Sequence, residues 1–154
     1  MTNDVLRLMV PSLLLPVAAA LLAGCLGTLA ASPRDGGGKS ARVRLGREFK
    51  LRVGGKAVVK GEGLRVRFDS VENDSRCPQD VACVWAGNAE VLIEAEAGGS
   101  RELLKLNTHG GENYPKQVRH RQYVCELVAL NPKPASGRET KAADYEVTLI
   151  IRKV

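Results

Sequence analysis

From Phe49 onward, apolar and polar residues alternate in short runs broken by glycine and proline, the period-two pattern of β-strands. Phe49, Leu51 and Val53 alternate with Lys50 and Arg52 before Gly54-Gly55, and residues 57–60 form a shorter run ended by Gly61-Glu62-Gly63. Leu64, Val66 and Phe68 alternate with Arg65, Arg67 and Asp69. A longer strand is predicted from Cys83 to Ala97, with residues 101–106 as its return arm across Gly98-Gly99-Ser100. Residues 107–117 are polar, carry Gly110-Gly111 and Pro115, and read as a long loop. Residues 123–130 are apolar on both parities except Glu126, as a central strand covered on both sides would be, and Asn131-Pro132-Lys133-Pro134 stops them. Tyr145, Val147, Leu149 and Ile151 mark a final strand. No long 3.6-residue periodicity follows the N-terminus, so the expectation is an all-β domain. About seven strands would form an antiparallel β-sandwich or small barrel.

The stretch DSRCPQDVACVWAGNA, residues 74–89, holds two of the four cysteines and the single tryptophan. Pro78, Gln79 and Asp80 favour a turn. Cys83, Trp85, Gly87, Ala89, Val91, Ile93 and Ala95 share one parity, which predicts that Trp85 faces the core. Gly87 inside such a run points to a bulge or a close backbone approach. A Cys77–Cys83 disulfide would close a short loop and contribute about 2.4 kcal/mol by loop entropy. Asp74, Arg76 and Asn88 fit either local turn structure or a binding surface.

Asp74-Ser75-Arg76-Cys77-Pro78 followed by Cys83-Val84-Trp85-Ala86-Gly87 resembles a signature of small bacterial lipoproteins and secreted proteins of uncharacterised function. Weaker similarity runs along residues 64–154, including Leu106-Asn107-Thr108 and Leu130-Asn131-Pro132-Lys133-Pro134. The resemblance implies a disulfide-clamped β domain and brings no activity or catalytic residue with it. Cys125 lies outside its pattern.

The N-terminus sets the compartment. Arg7 precedes an uncharged stretch, residues 8–31, and Leu22-Ala23-Gly24-Cys25 matches a bacterial lipobox. Residues 1–24 then form a lipoprotein signal peptide, residues 25–44 a lipidated Cys25 with a glycine-rich flexible tether, and residues 45–154 the β domain. An uncleaved membrane anchor is the alternative, since about 20 apolar residues suffice for a span, although Pro11 and Pro16 weaken that helix. A secretory signal cleaved elsewhere is another. All three put the remainder outside the cytoplasm. Leu26, rather than aspartate, after the lipidated cysteine points to the outer membrane where the host has one.

Loss of residues 1–24 removes Arg7 and Asp4, so the net charge stays at +6. A basic exported domain meets anionic envelope components or another envelope protein, and no nucleic acid. Lys116, Arg119, His120 and Arg121 form a basic cluster, the best binding candidate beside Asp74, Arg76 and Asn88. Asp69, Glu72, Asn73, Asp74 and Asp80 lack EF-hand spacing, so neither metal nor cofactor is assigned. Two function classes follow. One is a non-catalytic envelope lipoprotein acting as a binding or inhibitor-like module. The other is a small envelope hydrolase or thiol-dependent enzyme using Cys125, His109 or His120.

If Cys25 is lipidated, intact mass should place cleavage immediately before it, and the protein should partition into detergent. Cys25→Ala should accumulate as soluble protein or uncleaved precursor. Cleavage at any other bond would refute the assignment.

Overall fold

A computed structural model describes residues 39–154. The predicted signal peptide, Cys25 and most of the predicted tether lie outside the described residues. Nine strands form two sheets: β1 (Ala41–Val43), β2 (Phe49–Arg52), β3 (Lys56–Val59), β4 (Leu64–Glu72), β5 (Glu90–Ala97), β6 (Ser100–Asn107), β7 (Gln117–His120), β8 (Tyr123–Asn131) and β9 (Glu146–Lys153). One sheet has the order β1-β3-β4-β5-β6 and the other β2-β9-β8-β7. All pairings are antiparallel except β1 with β3. The sheets are not closed into a barrel. Of the two expected architectures, sandwich and small barrel, the chain takes the open one.

The core is the alternation read from the sequence, turned inward from both sheets. Val66, Phe68, Val91, Ile93, Leu104 and Leu106 from one sheet meet Leu51, Tyr123, Cys125, Leu127, Val147, Leu149 and Ile151 from the other in one buried cluster. Each aliphatic or aromatic side chain so buried is worth roughly 1.5–3 kcal/mol of transfer free energy. Cys125 is an unpaired thiol inside this cluster.

Two strands escaped the sequence reading. β1 lies inside the stretch expected as tether, where Val43 is its single buried residue and its register with Ala57, Val58 and Val59 is set by backbone pairing. β7, with the sequence QVRH, begins at the last residue of the expected loop, runs beyond it and pairs residue for residue with β8. Short edge strands of this kind are held by their neighbour's hydrogen bonds rather than by their own apolar pattern, so periodicity does not announce them.

The predicted strand from Cys83 begins only at Glu90, and Trp85 is not a core residue: it is 58% exposed. Gly87 is the cause. Its φ of +70° turns the chain out of the extended conformation, so the parity of residues 89–97 does not carry back across it. The backbone also passes Ser75 so closely that a Cβ on Gly87 would sit 1.9 Å from the Ser75 carbonyl oxygen. The expected close approach is therefore present.

Gly87→Ala forces both a positive φ and a backbone clash. It should cost at least about 3 kcal/mol and lower the melting temperature in a circular-dichroism melt, whereas Gly99→Ala, which has open space around it, should cost markedly less. Equal effects would show that the Ser75 approach is not the constraint.

Candidate functional site

Residues 73–89 leave β4, cross one end of the sandwich and return into β5. Their anchor is Arg76. Its Nε and Nη2 donate to Asp74 Oδ1 and Oδ2 at 2.8 and 2.7 Å, Nη1 donates to the Leu130 carbonyl at 2.6 Å, and Nη2 also reaches the Pro132 carbonyl at 2.8 Å. A loop leaving the first sheet is thus fastened to the end of β8 in the second. Tyr145 adds a hydroxyl donor to Asp74 Oδ2 at 2.9 Å. Burial raises the Asp74 carboxyl's pKa, but the hydrogen bonds from Arg76 and Tyr145 and the Arg76 charge outweigh it, and the net position is below the usual carboxylate range.

The rest of the loop is tied as thoroughly. Cys77 is joined to Cys83 as expected, and the Cys77 amide donates to the Ala86 carbonyl at 2.9 Å. The Gln79 amide donates to the Pro134 carbonyl, and the Asp80 carboxylate accepts from the Ser136 amide at 2.8 Å. Asn88 is buried and bonds in three directions. Its Nδ2 donates to Asn107 Oδ1 at 2.8 Å, and its Oδ1 accepts from Thr108 Oγ1 and the His109 amide. Asp74, Arg76 and Asn88 are therefore the fastenings of the loop, with their polar atoms engaged internally.

What this frame holds outward is aromatic. The Trp85 ring is centred 6.2 Å from that of His109, which lies 6.4 Å from that of Tyr114 in an edge-to-face arrangement. Beside them runs a cleft of about 560 Å³ lined by Arg76, Cys77, Ala86, Gly87, His109, Lys133 and residues 127–131 of β8, among others. Val128, at a bulge in β8, is 41% exposed there. Of the large apolar side chains exposed in the described residues, Val81, Val84, Trp85, Tyr114 and Val128 belong to the cleft or the two loops beside it.

The basic cluster is only partly as expected. Lys116, Arg119 and Arg121 are exposed, while His120 is buried, with Nδ1 2.8 Å from Glu102 Oε2 and Nε2 without a partner. As the last residue of β7, His120 is turned inward, so it leaves the surface group and instead joins β7 to β6. Lys116 lies along Gly110, in the loop that carries His109 and Tyr114. Tyr114 was invisible to pattern reading, since nothing in residues 107–117 separates one loop side chain from another. Among the described residues no cluster of His, Cys, Asp and Glu is arranged to hold a metal ion.

Compared with protein-family models, curated proteins and solved structures, the chain matches none.

Because the folded pKa of Asp74 is depressed, its contribution to stability is complete above the unfolded value, and is lost as pH falls through the folded one. Asp74→Asn should flatten the acid limb of the stability profile below about pH 4. Arg76→Leu removes the guanidinium from the half-buried carboxylate, which keeps only the Tyr145 hydroxyl and a backbone amide, and from two carbonyls. It should cost about 3–5 kcal/mol at neutral pH in urea unfolding. Near-wild-type stability in both variants would remove Arg76 from the centre of the frame.

Proposed function

We propose that the protein is a non-catalytic binding or inhibitor-like module of the bacterial cell envelope, exported by residues 1–24 and held to the membrane through a lipid on Cys25. In a host with two membranes the outer one is its place. Its partner is another envelope protein or an anionic envelope component, met at the Trp85 end of the sandwich.

The observation that carries the binding reading is the exposure of Trp85 on an immobilised loop. Tryptophan, tyrosine and arginine dominate the anchor residues of interfaces, because a large ring held in place loses little entropy when it is covered. Here the ring is 58% exposed, yet the backbone on both sides is clamped by a disulfide, a bidentate ion pair and the buried Asn88 network. Recognition on a loop fixed to a rigid scaffold is the usual arrangement for binding domains. A formed disulfide also suits an oxidising compartment, which supports export.

The enzyme alternative gains nothing from its nucleophile. Cys125 is buried, and burial, with a smaller effect of Glu126, pushes the thiol's pKa up to about 12, which withholds the thiolate at neutral pH. His120 is buried against Glu102, and His109 packs its ring between Trp85 and Tyr114.

Trp85 fluorescence should be that of a wet indole, readily quenched by acrylamide. Trp85→Ala should move stability by no more than about 1 kcal/mol while abolishing retention of the partner in a pull-down from envelope extract. A blue-shifted, unquenched indole whose loss unfolds the protein would make the ring structural and overturn the reading.

A further inference from the structure

The floor of the cleft is the side of β8 that β7 abandons. β7 pairs with Tyr123 to Glu126, and one further bond, Leu127 amide to Lys116 carbonyl at 2.8 Å, closes the ladder. There Pro115 intervenes. It has no N–H to continue the pairing, and its carbonyl accepts from the Asn107 amide of β6 at 2.9 Å, carrying the chain to the other sheet. Beyond that point no strand flanks residues 128–131 on this side among the described residues, and the next contact is Arg76 Nη1 on the Leu130 carbonyl. Between the bonded Leu127 amide and the bonded Leu130 carbonyl, a short stretch of roughly 10 Å is left as an open edge inside a cleft.

An open edge is a template for another strand, and proteins blunt such edges with charge. The outer strands of the sheets do so. Arg42 is exposed on β1, Lys50 and Arg52 on β2, and Arg101, Glu102 and Lys105 on β6. Residues 127–130 of β8 are Leu-Val-Ala-Leu, uncharged, with Val128 facing the cleft. No Asp or Glu lines the cleft. Lys133 does, and the exposed Lys116 stands where the ladder ends, so the charge at both ends of the open edge is positive.

We propose that this recessed edge is a strand-addition site for a short extended peptide carrying carboxylates. Its backbone pairs with those cleft-facing groups of residues 127–130 that Lys116 and Arg76 leave free, its acidic groups meet Lys116 and Lys133, and an apolar side chain reaches the Trp85–His109–Tyr114 group. Main-chain hydrogen bonds supply affinity in this mode, and side-chain pockets supply selectivity. The inference rests on the binding-module reading and names its partner class.

The probe is a pool of capped hexapeptides in which aspartate alternates with each apolar residue in turn, titrated against the full chain in detergent by Trp85 fluorescence and amide exchange. Binding should protect amides in residues 128–130. N-methylation at alternate peptide amides should weaken binding about tenfold or more in one register and little in the other. Lysine in place of aspartate should weaken it comparably, and Val128→Lys should abolish it with an unchanged melting temperature. No binding by any member of the pool at 1 mM or below, or equal binding by both N-methylated series, overturns the proposal. So does Trp85-dependent retention of an acidic glycan without peptide binding, an outcome that would leave the binding-module reading standing. If Trp85→Ala also fails to affect partner capture, both readings fall.

Discussion

The Arg76 guanidinium is the joint between the two sheets at one end of the sandwich. Four hydrogen bonds engage it, two to Asp74 in its own loop and two to carbonyls at the end of β8. The planar fork makes this possible, since an ammonium could not hold a bidentate carboxylate and two separated carbonyls at fixed angles. Half-buried ion pairs give little net stability once desolvation is counted. What this one supplies is position. It fixes the distance between the β4 end and residues 130–132, and with it the width of the cleft between them.

The loop at that end is fastened at several further points besides this joint. The disulfide shortens the loop, Asp80 pins its outer turn to Ser136, and Asn88 pins its return to Asn107 and the His109 amide. Trp85 is thus presented by a loop with few degrees of freedom left. Gly87 supplies the turn that brings the returning chain against Ser75.

Much of the fold was legible because seven of its strands carry an apolar face that the core buries. The second parity of β8, apolar in the sequence and expected to be covered, is instead half-buried or exposed at Val124 and Val128. The parts that were not legible share one physical feature: their placement depends on the conformation of a residue, not on its polarity. Trp85 has the parity of Ile93, and only the left-handed φ at Gly87 turns it outward. Glycine at that place suggested a close approach, but not the change of facing that goes with it. Asp74, Arg76 and Asn88 stood out as polar residues in a short motif, consistent with binding or fastening; the hydrogen bonds show all three fastening the loop, and Arg76 also lines the cleft. His120 shares a cationic run with Arg119 and Arg121, and the two-residue turn at Arg121-Gln122 is what leaves it facing Glu102. Tyr114 carries no pattern at all.

The two imino and glycine interruptions, Pro115 and Gly87, act together at the candidate site. Gly87 delays the start of β5 beyond what the polarity pattern predicts, Pro115 stands where the β7 pairing stops, and each lies beside the same cleft. Had β7 continued past Pro115, it would have covered residues 128–131 and closed the edge. Had β5 begun at Cys83, Trp85 would have been committed to the core. A sheet protein gains stability by extending its ladders, so two interruptions that together expose an uncharged edge and an indole cost the fold something it could have kept. Natural domains violate local optimality mainly where a site needs it. Here both interruptions meet at the one end where every polar fastening of the long loop is also found, and that coincidence is what supports the proposed recognition surface over a frayed edge.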